Sequence, residues 1–326
     1  MKHHFSMDGF SYRLRPVKIQ DAEFIVKVRL EDAERNQFIH SISSDPALQE
    51  EWIRKYFERD NDYYFIIENR FSREAEGLIS FYNVENRKAE WGRWVIKKGS
   101  LAASESVDLL YQIAFEKAGL QELYCRTVAE NISVVGFHDS IGEKTRCILK
   151  NEFELNGKLY DAVEQYADHH CFWSEIHPKL QKQATAIFRR NLKKELGGLE
   201  FHHIGVACRN IEKEKALYYL LGYSPEGDEF IDKAQGIRGQ FITAPSQPRL
   251  ELLENLDGFE TLTPYLKTNT KLYHIGYYVP DFNKAKSILR NYGANFVSPP
   301  KDSVYFGKRI CFSFLPNMQM IELMEK

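Results

Sequence analysis

The 326-residue sequence has no long apolar run, no closely spaced cysteine pair and no surplus of either charge. No stretch approaches the ~18 apolar residues that a membrane-spanning helix needs, so a membrane partner is not expected. The N-terminus, MKHHFSMDGFSYRLRP, lacks the apolar h-region of a secretory signal. Five cysteines lie scattered at Cys125, Cys147, Cys171, Cys208 and Cys311. None forms a CxxC pair, and the odd count argues against a disulfide framework. A reducing cytoplasm is the expected location. Acidic residues number 46 and basic residues 44, which leaves no wide basic face and excludes nucleic acid as an expected partner.

What is present is an ordinary soluble composition, 43% hydrophobic and 28% charged, spread over a long chain. Single cores stop growing at roughly 250–300 residues, so two domains are expected. From Tyr12 to about Tyr166, helical and strand signals alternate. AEFIVKVRL and EEWIRKYFER carry apolar residues at helical spacing, whereas DYYFIIE, EGLISFYNV and EWGRWVI read as strands. SESVDLLYQIAFEKAG reads as a helix, LQELYCRTV as a strand and NISVVGFHDSIG as a short helix. TRCILKNEFELNGKLYDAVEQYA reads as a hairpin turning at Asn156-Gly157. Next comes PKLQKQATAIFRRNLKKELGG, with Leu180, Ala184, Ile187, Phe188 and Leu192 on one helical face and a basic opposite face. It reads as a linker helix packed on a domain and ended by Gly197-Gly198, with a phosphate- or nucleic-acid-binding helix as the alternative. The expected division is a first domain over 1–170, a helical linker over 171–198 and a second domain over 199–326.

From Leu199 the chain repeats itself. HHIGVACRNIEKEKA places His203 where YHIGYYVPDFNKA places His274, 71 residues later; RLELLENL and QMIELMEK place Glu251 and Glu322 at the same offset. Two anchors with one spacing indicate a duplicated βαβββ module whose copies are related by a pseudo-two-fold axis. The copies are expected to close face to face, so that two histidines and two glutamates converge from four strands. Imidazole nitrogens and carboxylate oxygens suit a divalent first-row ion, and two carboxylates nearly neutralise it. Alone, either histidine would read as an ordinary strand histidine; the symmetric quartet is what points to metal.

These motifs resemble the vicinal oxygen chelate superfamily, which holds glyoxalases, methylmalonyl-CoA epimerases and extradiol dioxygenases. The likeness spans about residues 200–326 and is nearest to the epimerase branch. It implies that His203, Glu251, His274 and Glu322 hold a divalent ion, with Zn, Co, Mn, Ni, Fe and Mg not distinguished. It further implies that Glu322 serves as ligand and base in α-proton chemistry on a carbonyl or thioester. The epimerases carry a second carboxylate on the strand after a QGV-like turn. Here that turn reads AQGIRGQFITA, with Gly239 or Gln240 in the matching place, so one base is missing. The same resemblance offers a non-catalytic ligand-sequestering module as the alternative, and a homodimer that no surface pattern decides.

In the first half, WGRWVI followed by KKGSLAASESVDLLYQIAFEKAG is a strand–loop–helix unit whose small residues let backbone N–H groups meet an anion such as a pyrophosphate. A helix that simply starts with serine is the alternative. Together with AFEKAGLQELYCRTVAENISVVGFHDSIG and FELNGKLYDAV, it resembles the GNAT acyltransferase superfamily, near its RimJ/RimL-type and aminosugar N-acetyltransferase members. The resemblance implies an acetyl- or acyl-CoA donor and a small-molecule amine acceptor, such as a nucleotide-linked aminosugar. The pyrophosphate loop would be Gly99, Ser100, Leu101, Ala102, Ala103 and Ser104. The family's two glycine positions fall on Leu101 and Ala103. Val95 and Ile96 would offer backbone to pantetheine, and Asn131 would line the same channel. His138 stands where the family often has a tyrosine general acid, and Glu90 is the best-placed base. DHHCFW, from Asp168 to Trp173, is set aside as a chelate because strand neighbours point to opposite faces, and His3 and His4 are expected in a loose tail. The expected fold class is therefore α+β: a mixed sheet flanked by helices, then a paired βαβββ domain.

Overall fold

The computed structural model describes residues 2–326, which divide into two compact units, one up to Asn191 and the other Leu192–Lys326. No helix among the described residues is long and apolar enough to cross a membrane.

The first unit is built on β1 (Met7–Asp8), β2 (Tyr12–Pro16), α1 (Ala22–Leu30), α2 (Pro46–Phe57), β3 (Asp62–Asn69), β4 (Ala75–Glu85), β5 (Lys88–Ile96), α3 (Ala103–Gln112), β6 (Glu122–Val128), α4 (Ile132–Ile141), β7 (Lys144–Leu155), β8 (Lys158–Asp168), α5 (His169–Cys171) and α6 (His177–Leu196). The strands form one sheet in the order β1-β2-β3-β4-β5-β6-β8-β7. Both faces are covered, so the central strands read as nearly continuous apolar runs. Alternation then sorts them. Tyr64, Ile66 and Leu78 meet Ile25, Ile53 and Tyr56 of α1 and α2 on one face. Phe65, Ile67, Ile79 and Phe81 meet the core of α3 on the other, joined by Leu180 and the partly buried Ile187 of α6. The β7–β8 turn is Asn156 (φ 52°) and Gly157 (φ 76°), the double left-handed turn that matches strand twist.

Two expectations fail here. His3 is not in a loose tail: it is 7% exposed, its ring lies 4.8 Å from that of Phe65, and burial pushes its pKa down to about 4. DHHCFW is not a strand: Asp168 accepts a hydrogen bond from the Cys171 amide at 2.7 Å and starts a helical segment. An aspartate N-cap outweighs the strand pattern that precedes it.

The second unit comprises β9 (Glu200–Cys208), α7 (Ile211–Tyr219), β10 (Ser224–Asp232), β11 (Ile237–Thr243), β12 (Leu250–Asn255), α8 (Thr263–Lys267), β13 (Leu272–Val279), α9 (Phe282–Asn291), β14 (Asn295–Phe296), β15 (Lys301–Asp302), β16 (Arg309–Phe314) and β17 (Met320–Glu325). The repeat is real down to its fittings. Asn210 and Asp281, 71 apart, cap α7 and α9 by accepting from the amides of Lys213 and Lys284, each at 2.9 Å. Gly222 (φ 85°) and Gly293 (φ 88°) follow the same helices. Arg238–Glu254 at 2.9 Å and Arg309–Glu325 at 2.5 Å are the same ion pair made twice.

The copies do not close face to face. They join edge to edge, in the order β10-β11-β12-β9-β13-β17-β16-β14, with β9 and β13 antiparallel at the centre and β12 and β17 parallel to them outside. The first strand of each module has an open edge, and pairing the two satisfies backbone groups that face-to-face stacking would leave exposed.

One buried acid in the first unit carries a pH signature. Glu105 of α3 accepts from the backbone N–H groups of Phe10 and Ser11, tying the β1–β2 turn to the helix. Burial raises its pKa from 4.5 to about 7, against the lowering effect of those N–H donors. Because the folded value lies above the unfolded one, stability falls as pH rises from about 4.5 to 7 and is level on either side, a difference on the order of 3 kcal/mol. All four tryptophans, Trp52, Trp91, Trp94 and Trp173, lie in this unit, so their fluorescence reports its unfolding alone. Glu105→Gln is expected to gain stability relative to the parent between pH 5 and pH 8 in denaturant titrations. A constant difference between the two proteins would contradict the assignment.

Candidate metal centre and cofactor cleft

In the second unit, strand alternation aims Glu251 away from Leu250 and Leu252, which pack under α7, and toward the opposite face of the sheet. His203, Glu251, His274 and Glu322 meet on that face, all buried, with one donor atom from each within 4.8 Å of the others. His203 Nε2 lies 2.9 Å from His274 Nε2, 3.1 Å from Glu251 Oε2 and 3.3 Å from Glu322 Oε2. His274 Nε2 lies 3.5 and 3.6 Å from the same two oxygens. Donors bound about 2.1 Å from one ion stand about 3.0 Å apart at right angles and about 3.4 Å apart at tetrahedral angles, so the set has the dimensions of a first-row ion's coordination shell.

Two further features fit an ion. Glu322 Oε2 is buried without a hydrogen bond, a costly state for a carboxylate oxygen unless a cation meets it. The two carboxylates face two imidazoles, and among the described residues no lysine or arginine pairs with them. Burial opposes charge on His203, yet Glu251 and Glu322 outweigh it and hold the imidazole at about 9; Glu251 in turn is drawn below the ordinary carboxylate range despite its burial.

The sequence reading missed what makes the convergence possible. Gly205 lies opposite His274 in the β9–β13 ladder, and Gly276 lies opposite His203. A Cβ on Gly205 would come within 2.0 Å of the His274 ring, and one on Gly276 within 2.3 Å of the His203 ring. The glycine in each H-I-G motif is thus the seat of the other copy's histidine. Around the centre stand Phe241, which is paired with Glu251 in register, and Phe312, paired with Glu322. Phe306 lies over His203 and Tyr305 over Phe241. On β11, Gln240 turns to the carbonyls of Glu226 and Gly227, and Gly239 sits under Phe230, so neither supplies a base.

In the first unit, β5 and β6 are the one parallel pair of their sheet, and they are joined only from Lys88 to Glu90 and from Glu122 to Tyr124. Beyond that point they part, opening a cleft of about 730 Å³. Val95, Ile96, Ala103 and Asn131 all line it. The N-terminus of α3 is uncapped: Ala102 is its helical N-cap and provides no side-chain acceptor. The loop before it is held from the side. Gly99 takes φ 81°, Ser100 Oγ donates to Glu76 at 2.6 Å, and Ser104 Oγ donates to Gln183 at 2.5 Å. Leu101 is half-buried, and neither it nor Ala102 lines the cleft.

His138 departs from expectation. Val134 and Phe137 of α4 line the cleft, whereas His138 is 2% exposed. Its Nδ1 lies 3.1 Å from Glu143 Oε2, its ring packs edge-on to Trp91, and Cys125 Sγ is 3.7 Å away. Tyr111 closes the group by donating to Glu143 at 2.8 Å. To reach a thioester the ring would have to leave Glu143. Glu90 occupies the last paired position before the strands part; Tyr82 Oη and Asn83 Nδ2 donate to it, and burial raises its pKa.

With this geometry in view, the family matches are consistent in both halves. Residues 12–144 match the acetyltransferase (GNAT) domain, and residues 202–312 match the glyoxalase/bleomycin resistance protein/dioxygenase superfamily. The chain carries one domain of each family. No curated protein matches it. Among solved structures, it is similar to an apo form of FdhC, described as a nucleotide-linked sugar GNAT (25% identity, 58% of this chain and 98% of that one, TM-score 0.44). It is also similar to the spermidine N-acetyltransferase SpeG of Vibrio cholerae (19%, 51% and 98%, 0.45) and a GCN5-related N-acetyltransferase of Brucella melitensis (18%, 57% and 86%, 0.49).

Two outcomes follow. Gly205→Ala is expected to weaken divalent-ion binding at least tenfold by displacing the His274 ring, while β9 retains its place; unchanged binding would contradict the seat. His138→Ala is expected to destabilise the GNAT domain by about 1–3 kcal/mol, since it removes one partner of the buried Glu143, which keeps Tyr111, and leaves a gap beside Trp91; tryptophan fluorescence in urea would measure it.

Proposed function

We propose that the chain is a two-domain enzyme. Its GNAT domain transfers an acyl group from coenzyme A to a small amine, and its vicinal oxygen chelate domain performs divalent-ion-dependent α-proton chemistry on a carbonyl or acyl-thioester substrate. The observation that carries the second activity is the meeting of four buried donors at one point, two nitrogens and two oxygens without sulfur. His203, His274, Glu251 and Glu322 would hold the ion. A bound divalent ion supplies Lewis acidity, which favours enolate formation from a carbonyl compound. Glu322 is the proposed proton acceptor, because its Oε2 is buried, lacks a hydrogen bond and stands beside Phe312 in a water-poor wall. With no second carboxylate on β11, the reading favours a one-sided proton transfer, an isomerisation or elimination, over two-base epimerisation.

For the transferase, the parting of β5 and β6 provides an open strand edge beside Val95 and Ile96 for the pantetheine amides, and the uncapped α3 N-terminus provides N–H groups for the diphosphate. Asp32, Glu34 and Glu130 outnumber Arg35 in the cleft lining, which suits a cationic amine acceptor. Glu90, with its raised pKa, is the proposed base for that amine. The general-acid role is not extended to His138, which is enclosed against Glu143.

Elemental analysis of the purified full-length protein is expected to find about one divalent ion per chain, lost in His274→Ala; a metal-free parent that also fails to take up Zn or Co would overturn the metal reading. Ala103→Asp places a carboxylate at the first turn of α3, where it suits the helix but repels a diphosphate. It is expected to weaken coenzyme A binding about tenfold or more in calorimetry without lowering the melting temperature, and unchanged binding would remove α3 from the donor site.

A further inference from the structure

The 71-residue repeat gives each wall residue of the metal centre a counterpart in the other copy, and one pair is mismatched in chemistry. Phe241 answers to Phe312 and Gly239 to Ile310, but Phe230 answers to Lys301. In the first copy, Phe230 lies opposite Gly239, and its ring centroid is 6.0 Å from that of Phe241. In the second copy, Lys301 lies opposite Ile310, and Phe312, two residues on, lies opposite Glu322. Residues directly opposite in an antiparallel pair share a face, as do residues two apart on one strand. Lys301 therefore stands on the same face of the sheet as the four donors. Its Nζ is 5.9 Å from the Phe312 ring centroid, and the Phe312 ring is 5.4 Å from that of His274.

A lysine on an edge strand is often only a guard against strand pairing, and then it points to water. Lys301 is instead half-buried, and its ammonium makes no ion pair among the described residues. Burial lowers its proton affinity, while Asp232 and Glu322 act on it through space in the opposite sense. Asp232 is already engaged by the amide and side chain of Gln235, at 2.9 and 2.7 Å. A partly desolvated cation without a carboxylate contact, set in an aromatic wall beside a metal centre, lacks the anion that such a position ordinarily has.

We propose that Lys301 binds an anionic group of the second domain's substrate. The substrate class is then an organic acid whose carboxylate lies within a few bonds of the oxygen that meets the metal. The proposal rests on the metal reading above, and Lys301 is a specificity residue within it. The test uses full-length protein loaded with Co(II), its metal content measured first, and follows the cobalt visible spectrum during titration with pyruvate or with its neutral amide, pyruvamide. The parent is expected to bind pyruvate more tightly than pyruvamide. Lys301→Met is expected to lose about tenfold or more in pyruvate affinity, the worth of one charged contact, with pyruvamide unchanged; Lys301→Arg is expected to keep the preference. Equal binding of the two probes by the parent, or unchanged pyruvate binding by fully loaded Lys301→Met, would overturn the proposal and leave the metal centre standing. A parent that takes up no cobalt would overturn both, and the metal measurement identifies that case.

Discussion

The antiparallel pairing of β9 with β13 is the contact on which the second half of the molecule depends. It sets each histidine across from the other copy's glycine and brings two carboxylates in from the flanking parallel strands. A slip of β13 by one residue would turn His274 and Glu322 away from the face that holds His203 and Glu251. The same pairing explains why a duplicated module is needed. One copy supplies one nitrogen and one oxygen, too few for a stable ion site, and its first strand has an open edge. Joining two copies closes the edge and completes the donor set in one step. Two carboxylates and a divalent cation sum to no net charge, so burial then carries little electrostatic penalty.

The first half relies on the opposite device, a pairing that stops early. β5 and β6 share only three residue pairs before they part. The uncapped start of α3 leaves N–H groups for a ligand to satisfy. Below this opening, the core is unusually polar for its depth: Glu105 and Glu143 are both buried, one held by backbone amides, the other by Tyr111 and His138.

Much of this was legible in the residues. The offset of 71 positions found the repeat because helix caps, turn glycines, ion pairs and donors must all recur when one fold is used twice. Alternation in LELLENL and the Asn-Gly turn likewise follow from local geometry. The failures share a cause: each depended on a contact distant in sequence. The spacing from Asn131 to His138 fixes a helix but not whether the side chain meets the cleft or Glu143. Nothing near His3 announces Tyr63 and Phe65 as its neighbours. Edge-to-edge joining and face-to-face closure give the same four-strand convergence on paper, and only the register of Gly205 against His274 separates them. Lys301 was passed over because its meaning lies in comparison with Phe230, one repeat earlier.

The central claim is that two copies of one module present two imidazoles and two carboxylates to a single cation. X-ray absorption at the metal edge of the Co- or Zn-loaded full-length protein tests it most directly. The account predicts a first shell of nitrogen and oxygen only, at about 2.0–2.2 Å, with the multiple-scattering signature of two imidazoles. A sulfur scatterer near 2.3 Å, or a shell of oxygen without imidazole, would contradict it.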